Sequence, residues 1–326
     1  MPYPEVRLRR LRRTAAIRRL FDAPPPPPSK FIWPVFVVGG ENRREPVGAM
    51  PGQFRLSVDE LLRELEPVAA LGAGGVLLFG QEEGRKDAGG SGAYDERGAV
   101  QRAVPAIKRA YPGLVVMTDV CLCAYTSHGH CGPLDRRGEV DNDATNGLLA
   151  KVAVSHAAAG ADVVAPSAMM DGQVAAIRAA LDENAFEQTL IMAYSTKFAS
   201  SMYGPFRDAE NSAPGAGDRK GYQASYGNVR AALRESAFDE AEGADILMVK
   251  PALFYLDLLA ELRARSDLPV AAYNVSGEYS MLIAAAERGW GNLNDMARES
   301  LMALDRAGAD LLLSYWTPRY SEIFGA

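Results

Sequence analysis

The chain has 326 residues and a mass of 35.0 kDa, which suits a single barrel of ~250 residues with an added arm as well as two average domains. Hydrophobic residues make up 48% and charged residues 23%, which excludes a disordered chain, and 35 basic against 41 acidic residues (−6 net) argues against a general nucleic-acid binder. No apolar run approaches the ~20 residues that a membrane span needs, so neither nucleic acid nor membrane is an expected partner.

Charge is unevenly spread. Residues 1–20 hold seven Arg against Glu5, a local balance of +6 that leaves −12 for the rest. An Arg-rich, acid-poor start fits either an organelle transit peptide or a basic arm lying on an acidic body or a neighbouring subunit. The segment lacks the Ser richness of a transit peptide, which favours the arm and a cytoplasmic protein with reduced thiols. The five prolines Pro24–Pro28 follow, a stiff polyproline II spacer. The expected division is an arm over 1–30, used for subunit assembly, and a catalytic unit over 31–326.

From there, short apolar runs alternate with amphipathic stretches. The runs are Val35–Val38, Gly75–Phe79, Leu114–Thr118, Asp162–Ala165, Leu190–Tyr194, Asp245–Val249, Pro269–Tyr273 and Asp310–Ser314. Each is too short for a helix and nearly continuously apolar, as buried parallel strands are. Val58–Leu71, Ala144–Ala159, Val229–Glu242 and Tyr255–Arg265 have room for helices between them. An internal echo supports this: Gly-Ala-Asp precedes an apolar run at 160–162, 243–245 and 308–310. In each copy a helix ends, Gly supplies a left-handed cap, and a strand begins. Eight such units predict an α/β fold, a (β/α)8 TIM barrel with an N-terminal arm. A doubly wound sheet is the alternative, but no Gly-x-Gly-x-x-Gly follows the first strand.

Active sites of this barrel lie at the C-terminal strand ends. Those positions hold Phe79, Asp119, Ser167, Tyr194 with Lys197, Lys250, Ser276 and Tyr315. Only seven Lys occur in the chain, so two at strand ends are informative. An amine backed by apolar residues and a second cation loses its proton and attacks a ketone to form a Schiff base. A snorkelling or salt-bridged lysine is the plainer alternative for either one alone.

The only three cysteines, Cys121, Cys123 and Cys131, fall together at the end of the third run. Three thiolates suit zinc and leave a fourth position for water or substrate, whereas buried free thiols are the bland reading. His128 and His130 lie in the same loop, either as a fourth ligand or as ordinary hydrogen-bonding residues. The Gly/Pro-rich segment from Tyr203 to Lys220 follows the Lys197 strand as a lid would, and Arg207 and Arg219 can clamp a carboxylate through bidentate forks. A solvated surface loop is the alternative.

Together with Met50-Pro-Gly, Val140-Asp-Asn-Asp-Ala-Thr, Ala165-Pro-Ser-Ala-Met-Met-Asp-Gly, Tyr194-Ser-Thr-Lys-Phe-Ala-Ser, Gly217-Asp-Arg-Lys, Met248-Val-Lys-Pro and Val275-Ser-Gly-Glu-Tyr, these features resemble the δ-aminolevulinic acid dehydratase (porphobilinogen synthase) family over nearly the whole chain. The resemblance implies condensation of two 5-aminolevulinate molecules to porphobilinogen with loss of two waters, in heme biosynthesis. It implies Lys197 and Lys250 as the Schiff-base lysines and a catalytic zinc on Cys121, Cys123 and Cys131. It assigns Arg207 and Arg219 to one substrate carboxylate, and Ser276 and Tyr315 to the other. Asp119, Lys220, Gln223, Tyr194, Phe206 and Ser167 are expected to line the pocket, with Asp119 catalytic. Glu235 is expected to ligate an allosteric magnesium, and the assembly implied is a homo-octamer joined by N-terminal arms. The proline run, the absence of a proline near 226, and Asn274 in place of a commoner Gln depart from the family pattern.

Two other functions fit parts of the chain. A Schiff-base aldolase needs one lysine and no thiolate zinc, so the cysteines count against it. A non-catalytic zinc scaffold would close the cysteine site with a histidine and leave the lysines silent.

Overall fold

The computed structural model describes residues 5–81, 84 and 86–325; residues 1–4 of the expected arm lie outside them. Ten strands form one sheet: β1 (Phe31–Val37), β2 (Arg44–Pro46), β3 (Phe54–Leu56), β4 (Gly75–Gly80), β5 (Val115–Val120), β6 (Val163–Pro166), β7 (Leu190–Lys197), β8 (Ile246–Lys250), β9 (Val270–Asn274) and β10 (Leu311–Ser314). β2 and β3 pair antiparallel as a short hairpin, and β3 lies parallel beside β1. The other eight run parallel in the order β1-β4-β5-β6-β7-β8-β9-β10. β10 then pairs with β1 through Phe31↔Leu312 and Ile32↔Leu313, which closes a (β/α)8 barrel.

Side-chain alternation along the strands divides the core. Trp33, Val35 and Val37 of β1 face outward with Val76 and Leu78 of β4, against Leu61, Leu65, Val100 and Val104 of the helices Val58–Ala70 and Ala99–Ala110. Phe36, Leu77, Phe79 and Met117 belong to the other cluster, with Tyr194, Tyr273 and Tyr315. The eight barrel strands are buried on both faces along most of their length, as a closed parallel sheet requires.

The repeated Gly-Ala-Asp units do the same work three times. Gly160, Gly243 and Gly308 have φ of +100°, +102° and +107°, a backbone region that a side chain would strain. The following aspartates bond the amide that starts a neighbouring strand or lies next to its start: Asp162 accepts from Val116 N at 2.8 Å, Asp245 from Ile191 N at 2.7 Å, and Asp310 from Val270 N at 2.9 Å. Each unit thus ends a helix and pins the next strand in register at the N-terminal face, opposite the strand ends that carry the chemistry.

The arm contains two short helices, Leu8–Arg12 and Ala15–Arg19, neither of which holds a buried residue; Leu8, Leu11, Leu20 and Phe21 are exposed. The proline run docks where Tyr320 Oη donates to Pro26 O at 3.0 Å, and Lys30 closes it with a 2.8 Å ion pair to Asp305. Among the described residues no helix is long and apolar enough to cross a membrane.

Candidate active site

β7 and β8 bring the two lysines together. Their pairing shifts between Ala193 and Thr196: Ala193 faces Leu247, but Thr196 faces Val249 and Lys197 faces Lys250. One extra residue on β7 therefore sets Lys197 beside Lys250; without it Lys197 would fall opposite Pro251. Both side chains are buried, at 6% and 4% exposure.

Their surroundings differ. Lys197 Nζ donates to Ser167 O at 2.6 Å. Lys250 Nζ has no hydrogen-bond partner among the described residues and sits among rings, 4.3 Å from the centroid of Tyr273, 4.8 Å from Tyr194, 5.0 Å from Phe206, 5.5 Å from Tyr203 and 5.7 Å from Phe79. Burial, and then the Lys197 charge, push the Lys250 amine down to about 7, against the opposite pull of Asp119. Asp119 is raised to about 6 by burial, which outweighs the attraction of both lysines.

The end of β5 carries the thiols. Cys121, Cys123 and Cys131 are buried and unpaired, their Sγ atoms lie within 4.8 Å of one another, and Cys121 and Cys123 are 3.5 Å apart. That spacing fits three ligands around one tetrahedral ion. It is the only such cluster of potential ligands among the described residues. The two histidines stand apart from it. His130 bonds Tyr222 Oη at 3.2 Å and Ala216 O at 2.9 Å, while His128 bonds Ala88 O and accepts from His130 N.

The segment after β7 closes over these groups. The expected loop contains the turn Ser201–Tyr203 and the helix Gly204–Glu210, followed by irregular chain. Phe206 N donates to Ser276 Oγ at 3.0 Å, and Tyr203 Oη donates to Lys250 O at 2.9 Å. Arg219 donates to Gly129 O at 2.9 Å and Ser212 O at 2.6 Å, tying the lid to the cysteine loop. Two glycines let the lid sit this close: a Cβ on Gly129 would lie 2.4 Å from Ala213 O, and one on Gly277 2.5 Å from Met202 O.

Several polar atoms inside are shut off from solvent without a partner: Asp119 Oδ1, Tyr194 Oη, Arg207 Nε, Arg219 Nε, Glu210 Oε1 and both polar atoms of the Gln223 side chain. Such atoms are rare in native proteins, and a concentration of them marks a place where a ligand completes the bonding.

Residues 5–323 match the family model described as "Delta-aminolevulinic acid dehydratase". The chain belongs to the delta-aminolevulinic acid dehydratase family. It is 51% identical to the delta-aminolevulinic acid dehydratase of Synechococcus elongatus over 316 residues, covering 96% of this chain and 97% of that one. The Escherichia coli enzyme of the same name is 51% identical, covering 97% of each chain. A crystal structure of delta-aminolevulinic acid dehydratase (porphobilinogen synthase) from Toxoplasma gondii, in complex with the reaction product porphobilinogen, superposes with a TM-score of 0.93 at 44% identity, covering 97% of this chain and 91% of that one.

Of the residues that the family resemblance marked, one cavity wall contains Asp119, Cys121, Cys123, Ser167, Lys197, Phe206, Arg219 and Lys250. Tyr194, Tyr273 and Tyr315 back it, with the Tyr273 and Tyr315 hydroxyls 3.1 Å apart. Gln223 is buried on the lid's return, next to Ala224, whose N–H donates to Lys197 O at 3.0 Å. Ser276 begins the helix Ser276–Glu287 and its Oγ also donates to Met202 O at 3.3 Å. Lys220 stands outside the group: its side chain is 73% exposed and faces Asp218 at 3.5 Å. Glu235 lies away from the lysines, in the wall of a separate cavity of about 990 Å³ that it shares with Asp171. Burial, then Asp171 and Glu242, raise its carboxyl.

Two acidic residues escaped the sequence reading. Glu278 is fully buried and accepts from Asn274 Nδ2, Val275 N and Leu253 N at 3.2, 2.9 and 3.0 Å, joining the turn after Lys250 to the helix of Ser276. Its place three residues into a helix was a capping signal. Glu210, in the cavity wall, had no signal: a glutamate in a polar loop reads as solvated.

Proposed function

We propose that this family member condenses two 5-aminolevulinate molecules to porphobilinogen with loss of two waters, through Schiff bases on its paired lysines. The observation that carries the reading is the register pair Lys197↔Lys250, two buried amines side by side where the barrel opens. A one-lysine aldolase has no use for the second amine or for the thiol trio.

The chemistry follows from the surroundings. Lys250, its amine pushed down to about 7, is about half unprotonated at neutral pH, and that form attacks the ketone of one substrate; the carbinolamine loses water and leaves an iminium. The iminium draws electrons from the neighbouring carbon and so acidifies its C–H bond. Asp119, near 6, can accept or return a proton at neutral pH. Lys197, held by Ser167 O, forms the corresponding adduct with the second ketone. Arg207 and Arg219 are read as the clamp on one carboxylate, and Ser276 with Tyr315 as the clamp on the other. Holding both molecules makes the bond-forming steps effectively unimolecular. Tyr194, Phe206, Ser167 and Gln223 complete the walls, and Lys220 is assigned to the lid's outer edge, reaching substrate only if the lid moves.

Cys121, Cys123 and Cys131 would hold a catalytic zinc, for which a soft, buried trio with neither histidine in its first shell is a suitable donor set. Bound there, zinc supplies Lewis acidity toward a substrate oxygen. Glu235, with Asp171 nearby, is the proposed magnesium ligand, since a cation would offset both the burial and the repulsion from Asp171 and Glu242 that raise its carboxyl. The arm over 1–30, basic and with Leu8, Leu11, Leu20 and Phe21 exposed, is read as the element that wraps a neighbouring subunit in a homo-octamer. Unpaired thiols suit a reducing compartment, which supports a cytoplasmic location.

The test is incubation of the zinc-loaded protein with 5-aminolevulinate. Porphobilinogen formation that a chelator abolishes supports the reading; no porphobilinogen from intact, zinc-loaded protein contradicts it.

A further inference from the structure

Glu210 has no place in the chemistry above, yet it stands in the cavity wall with Asp119, Lys197 and Lys250. It is 3% exposed, and its Oε1 is closed to solvent without a hydrogen bond. Neither lysine forms an ion pair with it, and it lies outside the thiol cluster. The chain around it is fixed from the other side: Arg55 Nε and Gln81 Nε2 both donate to Ala209 O, at 2.7 and 2.6 Å, and Lys86 Nζ donates to Asn211 O at 2.8 Å. These bonds hold the helix end while leaving the Glu210 carboxyl facing the cavity.

A buried acceptor without a donor is costly, so a partner that arrives with the ligand is the natural complement. In 5-aminolevulinate the ketone and the carboxylate only accept hydrogen bonds; the amino group alone donates. We propose that Glu210 is a substrate-binding residue whose Oε1 accepts a hydrogen bond from the amino group of one bound 5-aminolevulinate. The inference rests on the function proposed above and deepens it. The two carboxylate clamps and the lysines recognise a γ-keto acid, and Glu210 adds recognition of the amine that must become part of the pyrrole ring.

The experiment compares the zinc-loaded parent, Glu210→Gln and Glu210→Ala in two measurements. One is KM for 5-aminolevulinate; the other is the inhibition constant of 4-oxopentanoate, the same molecule without its amino group. Glu210→Ala is expected to raise KM by about 10-fold or more, with Glu210→Gln, which keeps a carbonyl acceptor, falling between it and the parent. The inhibition constant of 4-oxopentanoate should stay within about two-fold in both variants, since it has no donor to lose. Unchanged 4-oxopentanoate binding also shows that the variants retain the folded site. A KM that does not move, or a KM and an inhibition constant that rise together, overturns the assignment. A parent that makes no porphobilinogen overturns the underlying function, and this inference with it.

Discussion

Lys197 and Lys250 are register partners across β7 and β8, but of the two amines only that of Lys197 has a hydrogen bond, to Ser167 O at 2.6 Å. Lys250 is enclosed by aromatic rings, the nearest being Tyr273 with its centroid at 4.3 Å. Each ring face favours a cation to some degree, while exclusion of water and the neighbouring ammonium disfavour it. The balance lowers Lys250 from 10.5 to about 7. At pH 7 about half of such amines are unprotonated, against roughly one in three thousand for an ordinary lysine. The pair is therefore unequal, with one amine anchored and the other without a hydrogen bond and about half unprotonated at pH 7.

That difference sets a pH dependence. Because the pKa of Lys250 is depressed, its reactive neutral form is lost as pH falls through about 7 and is nearly complete above 8. The rate of Schiff-base formation, followed by trapping at saturating 5-aminolevulinate, should rise about 15-fold from pH 5.5 to 7 and level off above pH 8. A rate still climbing steeply between pH 9 and 10 would mean that Lys250 titrates as an ordinary lysine.

Arg207 and Arg219 both leave a buried Nε without a partner, and Arg219 lines the cavity that holds the lysines. Replacing either with Ala should raise KM by ~10–100-fold, the worth of a charge-assisted hydrogen bond of ~1.5–3 kcal/mol. Arg219→Ala should be the more damaging, because its bonds to Gly129 O and Ser212 O also hold the lid. Steady-state kinetics check this, and an unchanged KM in both would return the segment to an ordinary surface loop.

Zinc in the protein should have three sulfur neighbours and one light oxygen or nitrogen atom that is not imidazole. His128 and His130 are already bonded elsewhere, and thiolates exclude magnesium. X-ray absorption reads the first shell directly, and magnesium should fail to rescue chelated protein. An imidazole in the shell would make the zinc structural.

Glu235→Ala should abolish stimulation by magnesium while leaving the zinc-dependent basal rate. The carboxyl lines a cavity that contains neither lysine and that it shares with Asp171. Activity titrations with magnesium check it, and a variant that responds as the parent does refutes the assignment.

Much of this was legible because periodicity and scarcity carry information. The eight apolar runs became barrel strands, and the three Gly-Ala-Asp echoes reported helix ends and strand starts, since left-handed glycine and an aspartate bonded to the neighbouring strand leave a fixed spelling. β2 and β3 were missed, being three-residue strands without alternation long enough to register. The apolar run alone ends β7 at Tyr194, because polar Ser195 and Thr196 interrupt it; both are buried, with hydroxyls donating to Met248 O. The bulge that aligns Lys197 with Lys250 depends on pairing between strands and has no local spelling. The motif alone places Lys220 in the pocket, but its neighbour Arg219 turns inward and leaves it in solvent.

The central claim is that Lys250 attacks the substrate ketone. Reduction with borohydride in the presence of 5-aminolevulinate, followed by mass spectrometry of the digested protein, tests it directly. The account predicts a reduced substrate adduct on the peptide containing Lys250, and no porphobilinogen from Lys250→Ala or from Lys250→Arg, whose guanidinium stays protonated and cannot attack. Substantial turnover by either variant, or no adduct on Lys250 in an active parent, would contradict it.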